Sequence, residues 1–445
     1  MSIPVAPGRL PLVGHLLQLF RRPLQFLSSL RHVGELVRVD LGSARMILIT
    51  DAKLTRQVLL DSRTFEKGGP FFDRLSELCG ESLLTSKSEP HRRQRRLIQP
   101  AFDQARIQGY SAIMAEAVDA VLGEWRDGAV VDMTVAAYDI TVRSSARTMF
   151  AAEVARAAGR HIVDALSTYA QGMFIRTMVP ARLLDLVPTP GNLRYQRAVK
   201  LLHASVDEII AVYRAAGVDH GDLLSMLLAH RENDSALTPQ EVHDQVLTLF
   251  LAGTETTAAV IAWSLYLLGA HPAMMERLRA EADAVLAGQE VRWEHLAKLL
   301  ETQRVITEAL RLYPPAWLFT RVTTEDVALG AHHLPKGTGL GCSPYLLHHN
   351  PDLFEAPERF DPDRWLPERA HTVQKEAFIP FGGGARKCIG DAFGLTEATL
   401  VLATIIARWD LHPTLDRPVQ PVPRRAALTP GALPMRLRSR ARGSA

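Results

Sequence analysis

Cys388 sits in the run Phe381-Gly382-Gly383-Gly384-Ala385-Arg386-Lys387-Cys388-Ile389-Gly390, and from Asp391 to Ala407 the chain reads as an apolar helix. The thiol is therefore expected in a tight glycine turn at a helix N-terminus. The helix dipole and the cationic neighbours Arg386 and Lys387 both favour a thiolate, the form that ligates a metal. Glycines let backbone amides approach the sulfur and let a flat ligand lie against the main chain. A buried structural Cys in a glycine-rich loop is the plainer alternative.

A second reactive set is Ala252-Gly253-Thr254-Glu255-Thr256-Thr257. It lies at the middle of a helix expected to start at Thr238-Pro239-Gln240-Glu241, with Thr as cap, Pro at the first position and Glu three after the cap. That helix should run to about Gly269 and stop at His271-Pro272. Ala252, Gly253 and Thr256 share one face, and the two small residues leave room for a ligand. Alternatively, the Thr hydroxyls simply bond back to carbonyls one turn earlier. His91 and Arg95 are four apart on a further expected helix, within His91-Arg92-Arg93-Gln94-Arg95-Arg96. This is either a solvated basic face or an anion site, since the planar Arg fork suits a carboxylate. Glu308 and Arg311 form an E-x-x-R pair, which on a surface is worth little.

Taken together and in this order, the acid-Thr set, E-x-x-R, Pro357-Glu358-Arg359-Phe360 and F-x-x-G-x-R-x-C-x-G resemble the cytochrome P-450 superfamily, soluble bacterial type. The resemblance covers essentially the whole chain. It implies a mainly α fold with a small β-rich region, a triangular helical prism that holds haem b between the long central helix and the helix after Cys388. It implies one domain over 1–445, with a proline-rich leader and first helix at 1–35, part of the β region at 36–50 and a mostly helical core at 90–445. Cys388 would be the axial thiolate, in a haem-binding loop over 381–390. His91, Arg95, Arg321 and Arg386 would hold the propionates; the family often has Trp at the first of these positions, and His keeps a donor. Phe381, Gly384, Gly390, Ala252 and Gly253 would contact the cofactor. Glu255 is the expected acid and Thr256 the hydroxyl of oxygen activation. Glu308, Arg311 and Arg359 would form a buried structural triad. Arg92 and Arg93 are expected to face solvent or a redox partner.

The composition agrees with a large globular core: 445 residues, 47% hydrophobic and 22% charged, with a net charge of +3 that is too small to imply nucleic acid. Cys79, Cys342 and Cys388 include no C-x-x-C pair, which argues against a zinc site or disulfide framework and suits a reducing cytoplasm. The apolar part of the N-terminus, broken by Pro4, Pro7, Pro11 and Gly14, is a poor signal peptide and far short of the ~20 residues needed to span a bilayer. No transmembrane anchor is expected, and a monomer is. Leu36–Leu41 and Arg45–Thr50 should form a hairpin around Gly42-Ser43, Asp51 should cap a helix ending near Asp61, and Gly68–Ser88 reads as an irregular loop over the substrate. From Gln104 to Arg231 amphipathic helix dominates, with a break over Pro180–Gly191.

No G-x-G-x-x-G or G-x-x-x-x-G-K-[ST] run occurs, so electrons must come from outside, as from a ferredoxin and its reductase. The expected pocket is apolar: Phe71, Phe72, Met173, Phe174, Phe250, Ala316, Trp317, Phe319 and Leu428, with Arg176 the one visible cation. The favoured reading is a monooxygenase acting with O2 on a small apolar substrate, and the general sequence style resembles terpene hydroxylases of secondary metabolism. A fatty-acid hydroxylase of the same fold and a non-enzymatic haem sensor or carrier are the alternatives. Peroxide-driven relatives replace the acid-Thr pair, and a sensor would not need it.

Overall fold

The computed structural model describes residues 2–42, 44–150, 162, 164–173, 176–177, 187–229, 236–415, 417–422 and 427–440. Six helices position the candidate site: α1 (Pro70–Cys79), α2 (Ser88–Ile98), α3 (Met133–Met149), α4 (Pro239–Ala270), α5 (Leu300–Leu312) and α6 (Asp391–Arg408). The fold is mainly helical with three small sheets among the described residues, as expected.

The central helix α4 starts where its sequence says. The Thr238 hydroxyl accepts from the Glu241 amide at 3.2 Å, the Glu241 carboxylate accepts from the Thr238 amide at 2.8 Å, and Pro239 occupies the first turn. Two orphan amides are thereby satisfied at once. Its 32 residues give a rod of roughly 48 Å. Its most apolar window would be long enough to cross a membrane, but 78% of that window is buried inside the fold, so its hydropathy reflects core packing. The helix packs along α3 on one side and α5 and α6 on the other, around Trp263, Ile261, Leu400 and Leu402.

The hairpin forms from β1 (Leu36–Leu41) and β2 (Ala44–Ile49), and Asp51 caps the next helix by accepting from the Leu54 amide. Three more strands, β3 (Phe65–Glu66), β4 (Phe319–Thr323) and β5 (Gly339–Cys342), complete a sheet in the order β1-β2-β5-β4-β3. Only β2 and β5 run parallel, with Ile47 opposite Leu340; β4 lies antiparallel to β5, with Arg321 also opposite Leu340.

Two expected loops are otherwise. Residues 70–79 form helix α1 rather than an irregular loop. Gly69 at φ 95° turns the chain, Pro70 fits the first helical position, and Phe72, Leu75 and Leu78 recur at helical spacing on the buried side. The break at Pro180–Gly191 ends by Thr189, whose hydroxyl caps a helix starting at Pro190. Residues 180–186 of that break, Phe174 and Ser43 lie outside the described residues.

Glu308 and Arg311 are completely buried and fully bonded. Arg311 donates through Nε and Nη2 to the carboxylate at 2.9 and 2.7 Å, and to the carbonyls of His348, Pro357 and Arg359. Glu308 also accepts from the Asp361 amide and from Trp365 Nε1 at 2.9 Å. The expected third member is corrected: the Arg359 side chain is exposed, and only its carbonyl takes part. Arg364, buried in a second Pro-acid-Arg-aromatic run at 362–365, lies 3.6 Å from Glu308 instead. Leaving a buried charge without its partner costs roughly 3–5 kcal/mol. Glu308→Ala or Arg311→Ala should therefore yield little folded protein. Arg359→Ala should shift stability by no more than about 0.5 kcal/mol, and Arg364→Ala should destabilise well beyond that. Thermal unfolding of the four variants decides it; equal loss in Arg359→Ala and Arg364→Ala would contradict the assignment.

Candidate active site

A cavity of about 540 Å³ lies between α4, the Cys388 loop, α1 and β4. Ala252, Gly253, Glu255 and Thr256 line it from α4, and Phe381, Gly382, Arg386, Cys388 and Gly390 from the opposite wall. The facing pair of α4 and loop is thus real in three dimensions.

The loop is built by short bonds and close approaches. The Cys388 amide donates to the Phe381 carbonyl at 2.9 Å, and Lys387 donates to Gly384. Gly384 does not reach the cavity wall. A Cβ there would lie 2.2 Å from the Leu59 carbonyl and its φ is 62°, so this glycine seats the loop on the helix Ala52–Leu60. Gly382, at φ 69°, and Gly390 are the loop glycines on the cavity wall.

Cys388 is exposed towards the cavity, as a metal ligand must be, while the atoms around it disfavour charge on the free thiol. Desolvation raises the Cys388 thiol above its ordinary value, and Asp391 adds to this; the Gly390 amide, Arg95 and Lys387 oppose it without prevailing. The dipole and the cations are present, but a low-dielectric wall outweighs them. A cation opposite the sulfur would reverse that balance. Cys79 and Cys342 are fully buried, and desolvation pushes both thiols up to about 12.

Cations gather at one edge of the cavity. Arg321 and Arg386 are buried and line it, as does Lys67. Arg386 Nη1 donates to the Ser86 carbonyl at 2.7 Å, while its Nη2 is buried without a partner. Burial, then Arg321, brings Arg386 down to about 10. Lys67 donates to the Leu84 carbonyl at 2.8 Å and is lowered far more, by burial first and then by Arg321 and Arg386. His91 is buried and falls to about 3, through burial, Arg386, Lys67, Arg95 and Arg321. Arg95 is half-buried and donates to the Lys387 carbonyl at 2.6 Å, so it braces the loop. None of these five groups has an ion-pair partner among the described residues. Such mutual repulsion marks an anion site, and the orphaned Arg386 nitrogen points the same way.

This donor set fits haem b. Cys388 would ligate the iron; Arg321, Arg386, Lys67, His91 and Arg95 would hold the propionates; Phe381, Gly382, Gly390, Ala252 and Gly253 would flank the ring. Lys67 was not visible from sequence, although its position before Gly68-Gly69 is a usable signal. His348 was missed as well. Its ring joins the Arg311 carbonyl at 3.1 Å to the Ile379 amide at 3.1 Å, and burial holds it neutral, so it ties α5 to the strand of chain entering the Cys388 loop.

On α4 Thr256 bonds back to the preceding turn and also faces the cavity. Its hydroxyl donates to the Ala252 carbonyl at 2.7 Å, yet the side chain is exposed to the cavity. With its own proton committed, the oxygen remains an acceptor towards the cavity. Thr254 bonds back to Phe250 and is buried.

Of the expected pocket residues, Phe71, Phe72, Met173, Ala316, Trp317 and Phe319 line the cavity. Phe250 and Leu428 do not. Phe250 packs against Phe150 in the core, and Leu428 is wholly buried with its carbonyl accepting from Trp263 Nε1. Arg176 also turns away: it stacks on Tyr195 at 3.7 Å and bonds to Gly172 and Asn192. Arg45, exposed at the rim, is the cavity cation outside the five-member cluster. Arg92 is exposed, but Arg93 is tied to Glu241 and the Ala236 carbonyl, at the start of α4.

The sequence profile of the family "Cytochrome P450" matches residues 4–435. Cyclooctat-9-en-7-ol 5-monooxygenase of Streptomyces melanosporofaciens is 47% identical, over 92% of this chain and 89% of its own length. Pentalenene oxygenase of Streptomyces avermitilis is 43% identical over 98% of each chain. Among solved structures, the cytochrome P450DA heme domain superposes with a TM-score of 0.89 at 28% identity, over 99% of this chain and 98% of that one.

If Cys388 supplies the thiolate, the reduced carbonyl complex should show the red-shifted Soret band of haem-thiolate proteins. Cys388→Ala should abolish that band, while Cys79→Ala and Cys342→Ala keep it. A normal band in the Cys388 variant would end the assignment.

Proposed function

Because the chain belongs to the cytochrome P450 family and is a haem-thiolate monooxygenase, we propose that it hydroxylates a cyclic terpenoid, fed by a ferredoxin and its reductase. The family reaction uses O2, an apolar substrate and an external redox partner. One oxygen atom enters a C–H bond and the other leaves as water, consuming two electrons and two protons. When bound, the haem supplies the oxidising chemistry, and the thiolate favours O–O cleavage.

The chain's own residues do the rest. Cys388 ligates. Arg321, Arg386, Lys67 and Arg95, with the neutral His91 as a further donor, would hold the carboxylates. Thr256 presents an acceptor oxygen to a protonated group in the cavity, and Glu255, on the same cavity wall, holds the proton to be passed. Substrate is held by apolar burial at ~25 cal/mol per Å². The apolar wall carries the substrate reading: Phe71, Phe72, Met173, Ala316, Trp317 and Phe319 offer a compact ligand no ionic partner. Two relatives named for an alkene and an unsaturated alcohol point the same way. A cyclic terpene hydrocarbon or its alcohol should convert the ferric haem to high spin. Lauric or palmitic acid should do so weakly, with Arg45 rather than Arg176 as the cation for its carboxylate. Titrating both ligand classes tests this; tight fatty-acid binding lost in Arg45→Ala, with no response to any terpene, would favour the fatty-acid reading.

The whole chain is read as one domain acting as a cytoplasmic monomer. The ferredoxin assignment rests on the exposed Arg92 near the Cys388 loop, with the exposed Lys387 beside it already paired to Asp391. Arg386 is buried and Arg93 is paired, so neither belongs to that surface. Salt screens such attraction over ~8–10 Å. Electron delivery should slow as ionic strength rises, and Arg92→Glu should mimic salt while Arg386, enclosed in the protein, is not part of the effect. A rate indifferent to both treatments points to another face or donor.

A further inference from the structure

Two imidazoles that no step above uses meet between α4 and the helix Pro190–Ala216. His203 Nδ1 and His243 Nε2 are 3.4 Å apart, and the rings lie within 4° of parallel. Both nitrogens of His243 stand beside carboxylate oxygens: Nδ1 is 3.3 Å from Asp244, and Nε2 is 3.5 Å from Asp207. A carboxylate only accepts, so both nitrogens are donors, and a ring with two N–H groups is an imidazolium. The half-buried His203 beside it is left to accept through Nδ1. Its own proton affinity is lowered, by burial first and then by His243. The Asp244 hydrogen bond raises that of His243, with burial opposing and Asp207 adding.

The pair is joined at both ends to α1, the helix whose Phe71, Phe72 and Leu75 wall the cavity. His203 hydrogen-bonds the Glu77 backbone in the last turn of α1. Asp244 accepts from the Glu81 amide at 3.0 Å, just past the helix end, and from Gln240 at 2.8 Å. The approach is so close that a Cβ on Gly80 would collide with Asp244 Oδ2. Gly69 at φ 95° precedes α1 and Gly80 at φ 50° follows it, so both joints use backbone that glycine adopts freely. The other charged groups around the rings are spoken for. Arg74 and Glu77 of α1 pair with each other at 2.9 Å, Glu241 pairs with Arg93, and Cys79 near Asp244 is a neutral thiol, pushed up to about 12. A bond that no titration touches, from the Leu83 amide to Gln245 at 3.1 Å, holds the chain beyond.

From this arrangement we propose that His243, as an imidazolium, is a proton-operated clamp that holds α1 closed over the cavity. With its proton, His243 bonds Asp244 and His203 at once, and through them the Glu81 amide and the Glu77 backbone. When the proton leaves, one of the two bonds is lost and α1 rocks on Gly69 and Gly80. Protonating His203 instead sets two cations 3.4 Å apart and breaks the same line. The clamp therefore works over a window. His243, whose folded value is raised, contributes fully below the ordinary imidazole value of about 6.5 and loses that contribution as pH rises through the raised value. His203, whose folded value is lowered, contributes above the ordinary value and fails as pH falls through the lowered one. Only the consequence, retention of a ligand in the cavity, rests on the monooxygenase reading; the clamp is a property of the chain.

Amide hydrogen exchange of the haem-loaded, substrate-free protein tests it from about pH 5 to about pH 9, a span that brackets imidazole titration. Rates divided by the intrinsic rate at each pH report local opening. Protection over residues 73–82 should fall several-fold towards alkaline pH while that of α6 stays level. Asp207→Asn, at an exposed side chain, removes one support of the imidazolium and should bring the fall to lower pH. His243→Gln, which carries no titrating proton, should show the alkaline level of protection at every pH. Protection that is flat with pH in the parent protein, or a profile unchanged in Asp207→Asn, overturns the clamp; so does a pH dependence kept in His243→Gln. If His243→Gln does not fold, Asp207→Asn decides alone. In a second arm, dissociation of a cyclic terpene hydrocarbon, followed by haem spin state, should quicken several-fold over the same alkaline range. Dissociation that stays constant there overturns the role in retention. A hydrocarbon that never binds counts against the substrate reading alone, since the exchange is measured without it.

Discussion

The buried pair of Glu308 and Arg311 is the interaction on which the site depends. Two opposite charges removed from water are tolerable only when every remaining donor and acceptor is matched. Here the matching is done by backbone: Arg311 reaches the carbonyls of His348, Pro357 and Arg359, and Glu308 the amide of Asp361. The pair therefore pins the irregular chain between β5 and the Cys388 loop, where no strand forms. His348 extends the hold to the Ile379 amide, next to the loop's entrance. The chain that carries the thiol is thus held before it enters the loop.

That frame holds groups which conflict electrostatically. Basic residues crowd together at one edge of an apolar cavity, while the surroundings of the thiol on its wall raise the cost of charging it. Each strain has the sign that one bound group removes: carboxylates relieve the cations and a metal cation relieves the sulfur. An apoprotein carrying both strains is expected to be less stable than the loaded protein, since binding to the native state alone adds to stability.

The opposite wall works by subtraction. Ala252 and Gly253 leave space on a helix otherwise packed against α3 and α6, and Gly253 cannot grow without pressing on Ser145. The Thr256 hydroxyl gives its proton to the Ala252 carbonyl and keeps an acceptor in the cavity. Polar function is confined to a few atoms in walls that are otherwise aromatic and aliphatic.

Local patterns were sufficient for much of this. The capping box fixed the start of α4 because all its atoms lie within four residues, and the Gly-Arg-Cys run and the acid-Thr set named both walls before any contact was known. What depended on chains meeting in space was decided only by the tertiary structure. Arg359 and Arg364 occupy similar Pro-acid-Arg-aromatic runs, and only packing shows that the second faces Glu308 while the first faces solvent. Phe250, Leu428 and Arg176 have pocket-like residue types or neighbours, yet helix rotation and stacking turn them elsewhere. Lys67 has only its place before Gly68-Gly69 to mark it, and a charge's proton affinity depends on what surrounds it. The sequence by itself determined which residues could do chemistry and in which helices they lie; the fold decided which of them share a cavity, because burial and distance are properties of the assembled chain.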